Sequence, residues 1–529
     1  MRKDNNKISS IAIHALIFYS ILISTWGYSE NFTDRLIIPK WYFSMFGLLL
    51  ATIIFSTNKI LGQNCHVCAN SIKFYIIFTV CTQAVYELLL KFGLHITSFP
   101  NTEAGFFENS AGFASCMSIG FPFIMTLSYN RKKPTRIIGY ILLTTIAIST
   151  ALSTSRTGII SIATICTILS YLKLRHTNKL LKHSPLLILI LLLPCCYWIK
   201  KDSADGRLLI WKCSTELFTK SPLWGYEIGG FEAHYMDIQA NYFRTNGFES
   251  HFAMLAGNTK FPFNEYLNLA LTSGLIGLLI LFLFLIWLYM CYKRNTRREK
   301  HTAFYALLSI ITFSFFSYPF TYPFTWIVCI FCIIFIISEN RERINFKPCV
   351  KRTMYIIILI SSFFCTTNLL LRMHSERKWV EANDLALSGK KEMALSLFKE
   401  IKGTFDTCPY FLYNYAIMLQ ECGMYEKSLE IALSCNNYWS DYDLELVLGE
   451  NYTHTGNFKK AEAHYLQASW MCPSRFLPLY KLLLLYTKKG HNKKAREISI
   501  QIIQKPIKHK TPEILLIKRE AEITLKRIH

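Results

Sequence analysis

Acidic residues are scarce in this 529-residue chain, 35 Asp and Glu against 58 Lys and Arg. Charge of either sign is nearly missing from a series of long apolar runs in its first ~370 residues. The first shortage leaves a formal charge of +23, which in a soluble protein would suggest a nucleic-acid partner. Here the basic residues sit mainly in short loops between apolar runs, as membrane topology requires, so no nucleic-acid partner is expected. The second shortage argues against a transporter, which more often keeps charged or broken helices at mid-membrane. A small-residue cleavage site is lacking after the first apolar run, so that run is expected to stay as a helix. Cysteine is not lacking, with 17, but Cys81, Cys166, Cys195, Cys196, Cys329, Cys332 and Cys365 lie inside apolar runs, where they act as small hydrophobes. Cys65 and Cys68 form one CxxC, and the two further ligands a zinc site needs at matching spacing are absent. No metal and no cofactor is expected.

What is present is a hydrophobic content of 52%, concentrated before residue ~370, followed by a stretch that reads as soluble. Apolar runs of this length predict membrane helices. Eleven fit, roughly 11–27, 41–57, 72–92, 106–128, 136–153, 155–173, 185–199, 264–290, 303–318, 320–338 and 353–372, with the pair around Ser317–Pro323 readable as one re-entrant element. With the N-terminus inside, the cytoplasmic segments carry 22 Lys and Arg, and the short loops on the other side carry only Arg35, Lys40 and Arg156. Positive charge collects on the cytoplasmic side, so this asymmetry sets the orientation. The longest loop, 200–263, and everything after the last span are then extracytoplasmic. The expected division is a membrane domain at 1–372 and a soluble domain at 373–529. The fold class is all-α, a polytopic bundle with a large loop and a helical solenoid.

The solenoid is legible as a repeat. Gly389, Gly423, Gly456 and Gly490 recur at intervals of 34, 33 and 34, and Ala394, Ser428, Ala461 and Ala495 each follow five residues later. The clearest unit is Leu448-Gly449-x-x-Tyr452-x-x-x-Gly456, then Ala461, Tyr465, Ala468 and Pro473. It resembles the tetratricopeptide repeat, in which small residues let two helices pack and a glycine makes the turn between them. Four repeats fit. They would serve as a docking surface for a protein partner or as a structural cap on the membrane domain.

Four segments could carry chemistry. Leu152-Ser153-Thr154-Ser155-Arg156-Thr157-Gly158 joins two spans with almost no loop. An arginine there is an interfacial anchor or, more in keeping with the side it occupies, a planar fork offered to phosphate. The long loop opens Asp205-Gly206-Arg207-Leu208-Leu209-Ile210-Trp211 and continues Pro222-Leu223-Trp224-Gly225. It holds seven basic and seven acidic residues and is rich in aromatics, as carbohydrate-facing surfaces often are. Taken alone, Arg207 reads as a loop salt-bridge partner, yet loops this long are usually functional. The loop closes Phe261-Pro262-Phe263-Asn264-Glu265-Tyr266-Leu267, where Glu265 could act as a base and Asn264 could simply cap the next helix. The fourth span begins Gly105-Phe106-Phe107-Glu108-Asn109-Ser110-Ala111-Gly112-Phe113-Ala114, whose small residues suit tight helix packing as well as a polar site.

In this order, the Phe-x-Asn-x-Ala-Gly-Phe-Ala start, the Ser-Arg-x-Gly hairpin, the Gly-Arg-x-x-x-Trp and Pro-Leu-x-Gly loop and the Asn-x-Tyr-Leu helix start resemble the O-antigen ligase and polymerase superfamily. The repeat tail looks like the variant found in Bacteroidetes-type members. The resemblance covers about residues 100–290 by motif. It implies a metal-independent, inverting glycosyltransferase of the bacterial inner membrane. Such an enzyme moves a glycan from a polyprenyl diphosphate carrier to an acceptor hydroxyl, on lipid A core or on protein, in the periplasm. Carried over, Arg156 and Arg207 would bind the diphosphate, and Asn109, Trp211 and Tyr266 would contact substrate. Many members have a histidine just before the Asn-x-Tyr-Leu segment, where this chain has Phe261 and Phe263. Glu265 is then the first base to consider, with His251 or His234 as substitutes, and Asn264 would orient the acceptor. A repeat-unit polymerase and, from a different class, a non-catalytic scaffold or transport partner in polysaccharide assembly are the alternatives.

Overall fold

The computed structural model describes residues 2–528, except 64, 66, 95–101, 103, 130, 175, 177, 249–250, 295–297 and 339–346. The basic residues 175, 297, 341 and 343 of the charge count thus lie outside the described residues. Each of the eleven apolar runs folds as a helix. In hydrocarbon a backbone must satisfy its own amides and carbonyls, and a helix does so within one segment. Among the described residues nine helices are long and apolar enough to cross a membrane, and Pro323–Ser338 is a shorter apolar helix of 16 residues. Arg298–Ser314, with 17 residues, occupies the remaining run. Between these last two lies a single 3-10 turn, Pro319–Thr321. Two compact units divide the chain. One comprises Met1–Trp198 and Leu281–Val380, the other Ile199–Ile280 and Glu381–His529.

Helix Ser110–Ser128 is the centre of the first unit, and its alternation of glycine, alanine, serine and phenylalanine explains why. Gly112 lets the Tyr322 ring lie against the backbone, and Gly158 lets helix Arg156–Leu174 come close against Ala114; a Cβ at either position would collide. Helices packed this closely share hydroxyls. Ser161 Oγ bonds Ser309 Oγ at 2.8 Å, and Ser309 Oγ donates to the Ser118 carbonyl at 2.8 Å. In a bilayer, where hydrophobicity alone does not favour helix on helix, such contacts hold the bundle.

The second unit contains the repeats. Gly389, Gly423, Gly456 and Gly490 each follow the first helix of a pair with φ between +69° and +81°, the left-handed turn that glycine adopts without strain. Ala394, Ser428, Ala461 and Ala495 are fully buried between paired helices. The last pair is followed by one more helix, Pro512–Ile528. The long loop belongs to the same unit and is largely helical, as Lys201–Lys220, Gly230–Asn246 and the short His251–Leu255. Its residues Leu209, Cys213, Phe231, Tyr235 and Phe243 share one core with repeat residues Tyr442, Tyr465 and Met471. Polar contacts reinforce that core. Gln239 Nε2 donates to the Met471 carbonyl at 2.7 Å, Arg244 Nη2 to Gln467 Oε1 at 3.0 Å, and Asn258 Nδ2 to Asp441 Oδ2 at 2.7 Å. A face of the repeats is therefore occupied by the chain's own loop. Burial raises the carboxyl pKa of Glu232 and of Asp441, while hydrogen bonds from Tyr410 and Asn258 respectively oppose the rise.

Candidate functional site

Arg156 is the first residue of helix Arg156–Leu174, reached through a turn in which Thr154 has φ +57°. A β-branched residue in the left-handed region is strained, and strain of this kind collects where geometry serves function. The half-buried Arg156 donates from Nη1 to the Cys196 carbonyl at 3.1 Å, which fixes the plane of the fork.

A second polar group of the first unit surrounds Asn109. Asn109 Oδ1 accepts from Gly112 N at 2.9 Å and so caps helix Ser110–Ser128. Its Nδ2 donates to Glu108 Oε1 at 2.9 Å, and Tyr322 OH donates to the same carboxylate oxygen. Tyr318 OH lies 3.4 Å from Asn109 Nδ2. Glu108 Oε2 is buried with no hydrogen-bond partner among the described residues. Lys40, fully buried, donates from Nζ to the Phe106 carbonyl at 2.7 Å and lies 4.4 Å from the centre of the Phe107 ring. Gln83 and Glu87 accept the amides of Phe106 and Gly105 at 3.0 and 2.6 Å, which holds the 104–109 turn in place. Lys40, Tyr318 and Tyr322 escaped the sequence reading. The only signal was that Lys40 is one of three cations on the side that avoids them; the tyrosines flank the 3-10 turn on either side and carried no pattern.

The other site residues belong to the second unit. Along helix Lys201–Lys220, Arg207 and Trp211 are four apart and share a face. Arg207 Cζ lies 5.0 Å from the centre of the Phe263 ring, and Trp211 Nε1 donates to the Pro262 carbonyl at 2.9 Å. Phe263 has φ +52°, a second strained non-glycine residue beside the site. It delivers the chain to Asn264, whose Oδ1 accepts from Tyr266 N and Leu267 N at 3.0 Å each and caps the helix that begins at Glu265. Arg207, Trp211 and 262–266 are thus brought together. His251 is not with them. Its Nε2 lies 3.4 Å from Asp205 Oδ2 and 3.9 Å from Asp202 Oδ1. Asp205 and Arg207 are two residues apart, about 200° around a helix of 3.6 residues per turn. His234 rests against Tyr226, ring centres 4.8 Å apart, and burial lowers its pKa.

The Pro-Leu-x-Gly segment has a structural role its sequence did not disclose. Helix Glu265–Lys293 breaks at Gly274, with φ 62° and ψ −160°. At the break Tyr226 N and Glu227 N donate to the Leu271 and Thr272 carbonyls at 2.7 and 3.0 Å, and Leu275 N donates to the Pro222 carbonyl at 2.8 Å. The turn 222–227 is spliced into the interrupted ladder and takes over the bonds the helix gives up. A Cβ on Gly274 would run into the Leu223 carbonyl, and that backbone region is essentially reserved for glycine. Gly274→Ala is expected to cost at least about 1–3 kcal/mol from backbone strain alone. The check is a lower melting temperature in detergent with faster proteolysis between residues 220 and 230.

These features define an all-helical, polytopic membrane protein with a folded loop and a helical-repeat array. Residues 107–282 match the family model described as O-antigen ligase. Asn109, Arg156, Arg207, Trp211, His251, Asn264, Glu265 and Tyr266 all fall within the matched residues. The match supports a membrane glycan-transferring function of the ligase or polymerase type. Among solved structures, yeast Tom70 is similar at 11% identity over 90% of this chain and 96% of that chain, with a TM-score of 0.26. No curated protein matches the chain.

Proposed function

We propose that the protein is an inverting, metal-independent glycosyltransferase that moves a glycan from a polyprenyl diphosphate to an acceptor hydroxyl in the periplasm, as O-antigen ligases and oligosaccharyltransferases do. The observation that carries this reading is the grouping of Arg207 and Trp211 with Phe263, Asn264 and Glu265, inside the matched O-antigen ligase domain. Glu265 takes the acceptor proton as the hydroxyl oxygen attacks the anomeric carbon. The bond from that carbon to the diphosphate oxygen breaks, and the leaving diphosphate carries away the electron pair. Arg156 and Arg207 each offer a guanidinium fork to the charge that develops there. Trp211 and Tyr266 supply apolar faces for sugar, and Asn109 orders the polar turn at the head of its helix.

Repeat-unit polymerisation is the second reading, and one observation favours it. The repeats already hold the chain's own loop helix, so they need not be a platform for a foreign acceptor. Deleting the gene and running the surface polysaccharide on a gel separates the two. A ligase leaves an intact core without long chains, and a polymerase leaves single repeat units on the core. Lost glycoprotein bands with unchanged polysaccharide identify a protein acceptor. No change in any of these overturns the glycan-transfer reading.

A further inference from the structure

We propose that the turn 222–228 of the loop dips into the lipid interface beside helix Glu265–Lys293, so that the folded loop carries its own membrane anchor. Leu223 is 56% exposed, Trp224 74% and Ile228 96%. Isolated apolar residues on a surface are ordinary, but three large ones bare on a single turn ask for a covering. The turn has two sides. Tyr226, in its middle, points back into the unit and donates from its hydroxyl to the Leu217 carbonyl at 3.1 Å. Among the described residues the apolar side is left without protein, while charge lies close by, at Lys220 just before the turn and at Glu227 next to Ile228.

Lipid is the covering that the main chain specifies. Tyr226 N and Glu227 N bond the carbonyls of Leu271 and Thr272, six and seven residues into a helix of 29 residues that is long and apolar enough to cross a membrane. At 1.5 Å per residue this fixes the turn about 9–10.5 Å along that helix from Glu265. Immediately beyond, Leu275, Leu279 and Ile280 of the same helix are also exposed. A tryptophan among aliphatic residues, with charge close by, is the composition of a bilayer interface. Non-helical backbone survives at such depth only when its polar groups are bonded, and here the turn and the helix break satisfy each other. The geometry therefore fixes the height of the loop helices at the bilayer surface independently of what the enzyme transfers.

The test places an environment-sensitive, genetically encoded fluorophore at position 224 or 228 of the full chain in lipid nanodiscs, with position 488 on the repeats as a reference. Lipids brominated high on the acyl chain are expected to quench 224 and 228 strongly, and aqueous iodide is expected to quench them severalfold less than 488. If iodide quenches 224 and 228 as well as it quenches 488, the turn lies in water and the proposal is wrong. If neither quencher reaches them, protein covers the turn, a second copy of this chain included, and the proposal is equally wrong. Unchanged size-exclusion behaviour of each labelled protein shows that the labels leave the fold intact.

Discussion

Arg207→Ala is expected to stop glycan transfer while the protein still inserts and accumulates, and Arg156→Ala is expected to do the same. Removing one preorganised contact to developing negative charge typically lowers the rate by about 10²–10³. Both side chains are already oriented, Arg156 by the Cys196 carbonyl and Arg207 by the Phe263 ring, so neither must find its geometry during the reaction. That orientation is also why lysine should not rescue. A point charge on a flexible stem reproduces neither a bidentate fork nor stacking on an aromatic face. Arg207→Lys and Arg156→Lys are therefore expected to lose most activity. Transfer is measured in membranes as the incorporation of lipid-linked glycan into product, normalised to protein level. Parental rates in both alanine variants would rule out the diphosphate role.

Glu265→Gln is expected to be nearly inactive, with transfer lowered by about 10²–10⁴ as for loss of a general base. The substitution keeps size and hydrogen bonding and removes the proton acceptor, so the helix start that Asn264 caps should survive it. His251→Ala separates Glu265 from His251 as the base. The imidazole pairs with Asp202 and Asp205, on a different face of the helix from Arg207 and Trp211, so its loss should leave most of the transfer rate. The opposite pattern, an active Glu265→Gln and an inactive His251→Ala, would move the base to the His251–Asp205 pair. Measuring the rate against pH in both variants adds a second readout, since loss of the true base removes one limb of the profile.

Much of the fold was legible because it is written in periodic or compositional terms. Apolar runs of this length become helices since a helix satisfies its backbone within one segment in lipid, and the 33–34-residue spacing of glycines became helix turns because each sits in the left-handed region. Asn264 was readable both as a cap and as a substrate contact, and the capping bonds are present. The polar group around Glu108 was half visible. Asn109 and Glu108 stood out among small residues, but their partners Lys40 and Tyr322 are contributed by segments far away in the chain.

The sequence by itself determined the helical class, the apolar runs, the repeat period and the set of motifs that point to glycan transfer. All of these depend on local pattern, which a chain carries wherever it is read. Tertiary structure alone decided which motif residues meet. It joined Arg207 and Trp211 to 262–264, set His251 against Asp205 on another side of the helix that carries them, and folded the long loop into the core of the repeats. It also turned Pro222-Leu223-Trp224-Gly225 from a motif into the splice that completes a broken helix. The physical reason is the same in each case. Hydrogen bonds and packing between segments far apart in the chain leave no periodic trace, because each partner is a single residue whose meaning depends on what lies opposite it.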